Sequence, residues 1–285
     1  MNSARVPESL TATSSNKSQL AYIVWLGRAV SQNLHARFAF LVTNRDRTVI
    51  QMNAIQTEKP GSVDQQSVLA QLPKKYQAPD NQVQPLSHNQ RALWLVQQIE
   101  PGNVSYNVGI TLHISSPIHV GVMRDALQAV VDRHANFRTY YDSIDGQPFQ
   151  IIFGRQKVDF TVLDATNWTE ADFLQSLQSN QNQPFDLAND KIFRSRLYVR
   201  GENKFALQII THHIAADGWS AWILIGDIQQ GYAARLADQP ITLAPLEHQY
   251  GDFVQWQSDM LAEKGEQLWS FWRETLAGGL TALNM

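Results

Sequence analysis

The sequence predicts an α/β domain with a mixed sheet and flanking helices, arranged as an α+β structure of two layers. Strand and helix patterns alternate along the chain from about residue 85 onward, and several neighbouring strands are joined by short hairpins. A hairpin pairs its strands antiparallel, whereas a purely parallel sheet needs a crossover connection between strands. We therefore expect a mixed sheet rather than a doubly wound parallel one.

The first 83 residues contain short patterns that do not join into a recognisable domain, so we leave this region unassigned. Polar stretches without periodicity predict a disordered tail at its beginning and a linker at its end. The predicted segments are a tail over 1–17, a helix over 18–35, hairpin strands over 38–42 and 48–54, and a linker over 57–85 with a short helix near 65–72.

From residue 84 to residue 285 the patterns are those of regular secondary structure. Apolar and polar residues alternate from Tyr106 to Ile114, which is the period of a half-buried strand. Ser87 is expected to cap a helix, and Asp145-Gly146 predicts a hairpin turn. In chain order we predict a helix after Ser87, a strand over 106–114, a helix over 122–131, hairpin strands over 137–144 and 148–153, a strand over 158–163, a helix over 169–178, strands over 193–199 and 205–211, and helices over 219–236, 250–261 and 266–276.

Composition and charge exclude several classes of function. The 285 residues carry 23 basic and 26 acidic side chains, and a net charge of −3 does not favour a nucleic-acid binder. There is no cysteine, which excludes disulfide frameworks, thiolate zinc sites and cysteine nucleophiles. Neither a membrane span of about 20 apolar residues nor a secretory signal is visible, so we expect a cytoplasmic protein that does not bind membranes.

The string Thr211–Ser220 holds the best candidates for chemistry, with His212 and His213 at the end of an apolar strand and Asp217-Gly218 just beyond it. Adjacent strand residues point to opposite faces, so one histidine can face a cleft while the other packs inside. For the same reason the pair is poorly placed to chelate one metal ion, and we predict no metal site.

Two simpler interpretations of this string remain open. The histidines can be a pair of core residues that end a strand. Ser220 can be considered as a nucleophile, but its surroundings lack the second glycine of a nucleophile elbow. We therefore expect Ser220 in the first turn of the following helix.

Four motifs in order resemble those of condensation domains from nonribosomal peptide synthetases. The third is the His-His-x-x-x-Asp-Gly motif within Thr211–Ser220, and the second departs from the family in having Ala-Asn-Phe where Glu, any residue and Leu are usual. The matching segments are Pro85–Trp94, Arg133–Thr139, Thr211–Ser220 and Tyr250–Trp256, with a further family segment at Pro184–Leu187.

The resemblance implies a fold similar to chloramphenicol acetyltransferase, in which two lobes form a V around the active site. Residues 84–285 match the N-terminal lobe alone, and the later motifs of the family are not found. We therefore expect a truncated or split chain. The implied partners are donor and acceptor peptidyl carrier proteins and, in a split domain, a second-lobe polypeptide. The phosphopantetheine arms of the carriers are substrates, and no cofactor is expected to bind directly.

The resemblance also implies roles for individual residues. His213 is expected to act as base or positioner of the attacking amine. An ordinary imidazole has a pKa of about 6.5, which suits proton transfer near neutral pH. His212 belongs to the same motif and is expected to be buried. Asp217 is expected to be structural and to pair with an arginine, and Gly218 to keep the substrate tunnel open. The candidate arginines are Arg133, Arg138 and Arg194, unless the second lobe supplies the arginine. We assign Arg133, Arg138, Trp219 and Ser220 structural or positioning roles.

Other interpretations remain beside this one. The chain can be a catalytically inactive fragment that binds a carrier protein or a partner subunit. It can also be a stand-alone acyltransferase that uses coenzyme A, although the double histidine and the other three motifs argue against that. His134 and Arg138 can simply be cations at the C-terminus of a helix. We expect the tryptophans in the core or at a lobe interface: Trp94, Trp219, Trp222, Trp256, Trp269 and Trp272.

Overall fold

A computed structural model describes residues 65–278 of the chain. The predicted tail, the helix over 18–35 and the hairpin over 38–54 lie outside the described residues. The described helices are α1 (Gln65–Gln71), α2 (His88–Ile99), α3 (Val120–Arg133), α4 (Glu170–Gln181), α5 (Gly218–Leu236) and α6 (Tyr250–Thr275). The described strands are β1 (Gln82–Pro85), β2 (Asn107–Ile114), β3 (Thr139–Ile144), β4 (Gln147–Ile152), β5 (Asp159–Asp164), β6 (Phe193–Gly201) and β7 (Lys204–His212).

The strands form two sheets, and the larger one is mixed as predicted. Its order is β2-β7-β6-β5, with β5 parallel to β6 and the other two pairs antiparallel. The smaller sheet has the order β1-β4-β3 and is antiparallel throughout. Strand β7 therefore lies inside the larger sheet, and its last residue, His212, is the cross-strand partner of Asn107 at the beginning of β2.

The main core lies between the larger sheet and the pair of helices α3 and α5. Phe205, Leu207 and Ile209 of β7 pack there, whereas Ile210 packs on the opposite face against α2 and its neighbours. All residues from Phe205 to His212 are buried, so β7 is covered on both faces. Burial on both faces makes the end of β7 a rigid position from which to present a side chain.

Helix starts follow the sequence signals. Ser87 caps α2 through a capping box with Gln90, and Thr169 caps α4 through one with Asp172. In a capping box two backbone N–H groups that lack helical partners are satisfied reciprocally. None of the described helices combines the length and the apolar character needed to cross a bilayer.

Three features differ from the sequence predictions. Residues 65–85 are not mostly linker: β1 pairs with β4, and Leu72, Tyr76 and Val83 pack against Ile151 in a small core. The three apolar side chains explain the difference, because burying them offsets the cost of ordering the polar residues between them. The boundary at residue 84 itself stays a prediction.

The other two differences are local. The first predicted hairpin strand begins two residues later than expected, since Ala135–Arg138 form a short 3-10 helix. The two predicted C-terminal helices are the single helix α6. Gly265 lies between the two predicted helices, and a glycine costs a helix interior only about 1 kcal/mol relative to alanine, too little to end a long helix by itself.

Candidate active site

The candidate site is the turn between β7 and α5, which contains His213 and ends at the helix start formed by Asp217 and Gly218. The strand anchors one side of this turn and the helix the other. The backbone N–H of His213 donates a hydrogen bond to the carbonyl of Tyr106 at 2.8 Å. The turn is therefore tied to the segment that leads into β2 as well as to its own two elements.

His212 is a buried histidine, with 1% of its surface exposed. Its Nδ1 accepts a hydrogen bond from the backbone N–H of Ile214 at 3.1 Å, so the proton of the neutral ring is on Nε2. Burial, with a smaller contribution from the charge of neighbouring His213, lowers the pKa of His212 to about 4. His212 is therefore neutral at physiological pH and supports the turn from inside.

The side chain of His213 is exposed, in contrast to that of His212. His213 is the first residue beyond β7, where the chain leaves the strand that is covered on both faces, and this position accounts for its exposure. Two cavities flank the turn among the described residues, and neither includes His213 in its lining. His213 is thus presented on an open surface of this part of the chain.

Asp217 caps helix α5. Its Oδ1 accepts hydrogen bonds from the backbone N–H of Ser220 at 2.9 Å and from the Ser220 hydroxyl at 2.8 Å. The hydrogen bond from the Ser220 backbone is the main reason that the pKa of Asp217 lies below its usual value. Ser220 lies in the first turn of α5, as expected, and its hydroxyl is committed to the cap.

The expected ion pair between Asp217 and Arg133, Arg138 or Arg194 is absent from the described residues. Arg133 pairs with Asp227 and Arg194 with Asp190, while Arg138 donates to the carbonyl of Phe153. The physical reason is that Asp217 is exposed at a helix N-terminus, where backbone N–H groups satisfy its carboxylate without a buried cation.

Arg133 and His134 share the carboxylate of Asp227, with His134 Nε2 at 2.6 Å from Asp227 Oδ2. Asp227 is buried on α5, so this cluster ties the end of α3 to the helix that begins at the histidine turn. Asp227 was not among the candidate residues predicted from the sequence. A usable signal was present, because an acidic residue between Leu224 and Ile228 interrupts an apolar helix face and indicates a buried partner.

Arg138 was expected to have a structural or positioning role, and Gly218 to keep the substrate tunnel open. Burial lowers the pKa of Arg138, whose Nη1 donates to the Phe153 carbonyl at 2.7 Å, so it connects the 3-10 helix to the end of β4. Gly218 is the first residue of α5, and a Cβ placed there would meet no atom of the described residues within 4 Å. The space beside Gly218 is therefore open.

The tryptophans of α5 and α6 are exposed rather than in the core, with Trp219 at 80% exposure. Trp94, which lies on α2, is half-buried and packs against the core cluster that contains Ile210, as expected. Helix α6 has a single buried residue, Val254, in its 26 residues. The exposed aromatic residues are Trp219, Trp222, Phe253, Trp256, Trp269, Phe271 and Trp272, and we call them the aromatic surface. Exposed aromatic side chains in such number leave a large apolar area of α5 and α6 uncovered by the described residues.

No group of three or more His, Asp or Glu side chains in the described part of the chain is arranged to hold a metal ion. His213 provides the turn with an exposed imidazole next to the end of buried strand β7.

A family model, the sequences of known proteins and solved structures all give matches to this chain, and the matches agree with one another. A family model described as "Condensation domain" matches residues 80–285. The chain is 35% identical over 206 residues to a probable non-canonical nonribosomal peptide synthetase, CymA, of Salinispora arenicola, covering 70% of this chain and 3% of that protein. It is 33% identical over 199 residues to a dimodular nonribosomal peptide synthase of Bacillus subtilis, covering 67% of this chain and 8% of that protein.

Solved structures give the same fold. The X-domain in its complex with OxyB from teicoplanin biosynthesis matches with a TM-score of 0.64 and 29% identity, over 70% of this chain and 45% of that one. The starter condensation domain of rhizomide synthetase RzmA matches with a TM-score of 0.63 and 21% identity, over 70% of this chain and 48% of that one. The chain thus spans about half the length of these structures and a small part of the synthetases.

These condensation domains have the chloramphenicol acetyltransferase-like fold. Taken with the four ordered motifs and the histidine turn, the matches show that the chain belongs to the condensation-domain family of nonribosomal peptide synthetases.

Proposed function

We propose that this chain supplies the N-terminal lobe and the histidine turn of a condensation domain that joins a carrier-bound acyl group to a carrier-bound amine. The observation that carries the proposal is the contrast between buried, neutral His212 and exposed His213 at the end of a strand that is covered on both faces. In this arrangement one histidine maintains the turn and the other is available to substrate. The lobe includes residues 84–285 and the preceding described segment, whose strand β1 pairs with β4, and the role of residues 1–64 remains unassigned.

In the proposed reaction the acceptor amine attacks the carbonyl carbon of the donor thioester. A C–N bond forms, the C–S bond breaks, and the proton lost by the amine ends on the departing thiolate. His213 accepts that proton or holds the amine in the attacking orientation, and general base catalysis of this kind contributes about 10²–10⁴-fold. Much of the remaining acceleration comes from positioning two tethered reactants together.

The substrates are the phosphopantetheine arms of two peptidyl carrier proteins, one with the acyl donor and one with the aminoacyl acceptor. Two long arms need a channel that encloses both thioester ends and excludes water from them. His213 lies on an open surface, so this channel requires a second wall.

A second lobe, on this polypeptide or another, provides that wall and covers the aromatic surface. The length comparison supports the proposal, because this chain spans 45–51% of the solved condensation-type structures described above and of the first condensation domain of the CDA synthetase. Covering the aromatic surface would also remove its large exposed apolar area from water.

A second candidate function is partner binding without catalysis. It is favoured by the similarity to the X-domain, which was solved in a complex with OxyB. In this case the aromatic surface binds a partner protein, and the histidine turn is a structural remnant.

The test is product formation by the chain completed with a second lobe, supplied with an acyl-loaded donor carrier and an aminoacyl-loaded acceptor carrier. We expect the amide product on the acceptor carrier, detected by mass spectrometry, with free thiol on the donor carrier. Product formed equally well from acyl-coenzyme A without a donor carrier would indicate a coenzyme A-dependent acyltransferase. A completed domain that binds carriers but forms no product would favour the partner-binding function.

A further inference from the structure

Three consecutive backbone carbonyls, those of residues 183–185, are held by side chains from three different elements. This segment connects α4 to β6 and passes behind the histidine turn. The donors are Arg194 of β6 to the carbonyls of residues 183 and 184 (2.9 and 2.8 Å), Asn107 of β2 to residue 183 (3.0 Å), and Gln97 of α2 to residue 185 (2.9 Å). A loop held at three successive carbonyls has little freedom to move.

Arg194 makes the most contacts with this segment. The residue is buried, with 5% of its surface exposed. Its guanidinium forms an ion pair with Asp190 at 2.9 Å and lies over the ring of Phe185, with 3.7 Å between the guanidinium carbon and the ring centroid. A buried cation is costly unless its hydrogen bonds are satisfied, and here two carbonyls, a carboxylate and an aromatic face satisfy it.

Phe185 connects Arg194 to the histidine turn. The ring of Phe185 is buried and meets the ring of His212 edge to face, with centroids 6.2 Å apart and an angle of 81° between the planes. This contact restricts rotation of the imidazole, whose Nδ1 must face the backbone N–H of Ile214 to accept its hydrogen bond. The same contact helps keep water away from His212.

We propose that Arg194 is a positioning residue for the histidine turn: it holds Phe185 against His212, and His212 fixes the turn that presents His213. The contacts from Arg194 to Phe185 and from Phe185 to His212 are features of the fold alone. Their importance for turnover rests on the proposed function. Arg194 was a candidate partner of Asp217 in the sequence, and in the structure it instead contacts residues 183–185 and Asp190.

Arg200 provides a matched control. It lies on the same strand, forms an ion pair with Glu170, and lies over the ring of buried Phe173 at 4.0 Å. Neither Phe173 nor Glu170 contacts His212. Replacing either arginine with lysine keeps the charge but loses the planar, two-pronged geometry that binds two acceptors at once.

The test is long-range ¹H–¹⁵N NMR of the histidine side chains in the 285-residue chain. In the wild type we expect a single His212 tautomer, protonated on Nε2. Arg194→Lys should replace this signature with a mixture of tautomers and shift the His212 pKa from about 4 toward its ordinary value, about 6.5, while Arg200→Lys leaves it unchanged. A folded Arg194→Lys variant with the wild-type His212 signature would overturn the proposal.

Phe185→Leu keeps most of the buried volume and removes the ring contact with His212. If Arg194→Lys fails to fold, this variant tests whether the ring of Phe185 keeps His212 in one tautomer. We expect the same loss of the single tautomer, and an unchanged His212 signature would overturn the proposal. In a domain completed with a second lobe, Arg194→Lys should lower kcat by about 10- to 100-fold with little change in the acceptor KM. If even the wild type shows no turnover, the proposed function fails, and the NMR result still decides the positioning role.

Discussion

Asp217 and Ser220 cap helix α5 reciprocally: the Asp217 carboxylate accepts from the Ser220 backbone N–H, and the Asp217 backbone N–H donates to the Ser220 hydroxyl at 3.1 Å. Within residues 65–278 the acidic residue of the His-His-x-x-x-Asp-Gly motif therefore acts as a helix cap, and no arginine of this part of the chain pairs with it. This changes the expected consequence of replacing it.

Asp217→Ala should lower the free energy of unfolding by about 1 kcal/mol, whereas Asp217→Asn should leave it nearly unchanged, because asparagine caps helices about as well as aspartate. Denaturant unfolding of both variants measures the difference. Thr169→Ala, which removes the corresponding cap of α4, should resemble Asp217→Ala. A loss of about 3 kcal/mol or more in Asp217→Asn would instead indicate a buried ion pair.

Asp227→Ala should be far more destabilising, by about 3–5 kcal/mol, because it leaves Arg133 and the polar ring of His134 without their shared carboxylate. Asp125→Ala is the matched control, since Asp125 and Arg235 also join α3 to α5 but are both substantially exposed. Exposed pairs contribute about 0–1 kcal/mol. Equal losses for the two variants, measured by denaturant unfolding, would show that the Asp227 cluster is not important for docking α3 on α5.

The low pKa of His212 predicts a pH-dependent stability. Between pH about 6.5 and about 4 the unfolded chain binds a proton that the folded chain does not, so the free energy of unfolding falls as the pH falls. Above about pH 6.5 both states are neutral at this position and the effect disappears.

His212→Asn removes this titration while keeping an acceptor near Ile214. The stability of the wild type relative to this variant should therefore fall by about 2–3 kcal/mol between pH 7 and pH 4.5. His88→Gln, at an exposed position, serves as the control and should show no such dependence. If the difference between wild type and His212→Asn is the same at both pH values, His212 is not buried as a neutral ring.

The sequence was sufficient to predict most of the fold, because its elements depend on local patterns. Alternation from 106 to 114, the Asp145-Gly146 turn and the Ser87 cap each correspond to an observed element. Long-range packing was not predictable in the same way. Tyr76 and Val83 lie in a polar stretch, and only their contact with Ile151 of β4 makes that stretch part of the fold.

The same limit applies to the candidate site. Different environments for His212 and His213 were expected from strand alternation, but the structure gives another cause: both faces of β7 are buried, and His213 is exposed because it follows the last strand residue. In the sequence, Asp227 is 94 positions from Arg133, and Phe153 is 15 positions from Arg138. The acceptors of Arg194 are 4 to 11 positions away from it. No local pattern distinguishes which acidic residue or carbonyl an arginine will reach, and all three were therefore considered for Asp217.

The chain by itself should show no detectable condensation of loaded carriers, because His213 and the aromatic surface are open to solvent. Completion with a second lobe should restore product formation and reduce quenching of tryptophan fluorescence by acrylamide. Trp94, which is already half-buried, should contribute little to that reduction. Product from the chain alone, lost in His213→Ala, would show that one lobe is sufficient.

The central claim is that His213 faces the substrates while His212 supports the turn, and it is tested most directly by comparing two variants of the completed domain. Initial rates of amide formation and thermal unfolding are measured for His213→Ala and His212→Asn side by side. We expect His213→Ala to lose about 10²-fold or more of the rate with an unchanged melting temperature, and His212→Asn to change stability more than His213→Ala does. A His213→Ala variant that keeps its rate, beside a stable His212→Asn variant that loses it, would contradict the account.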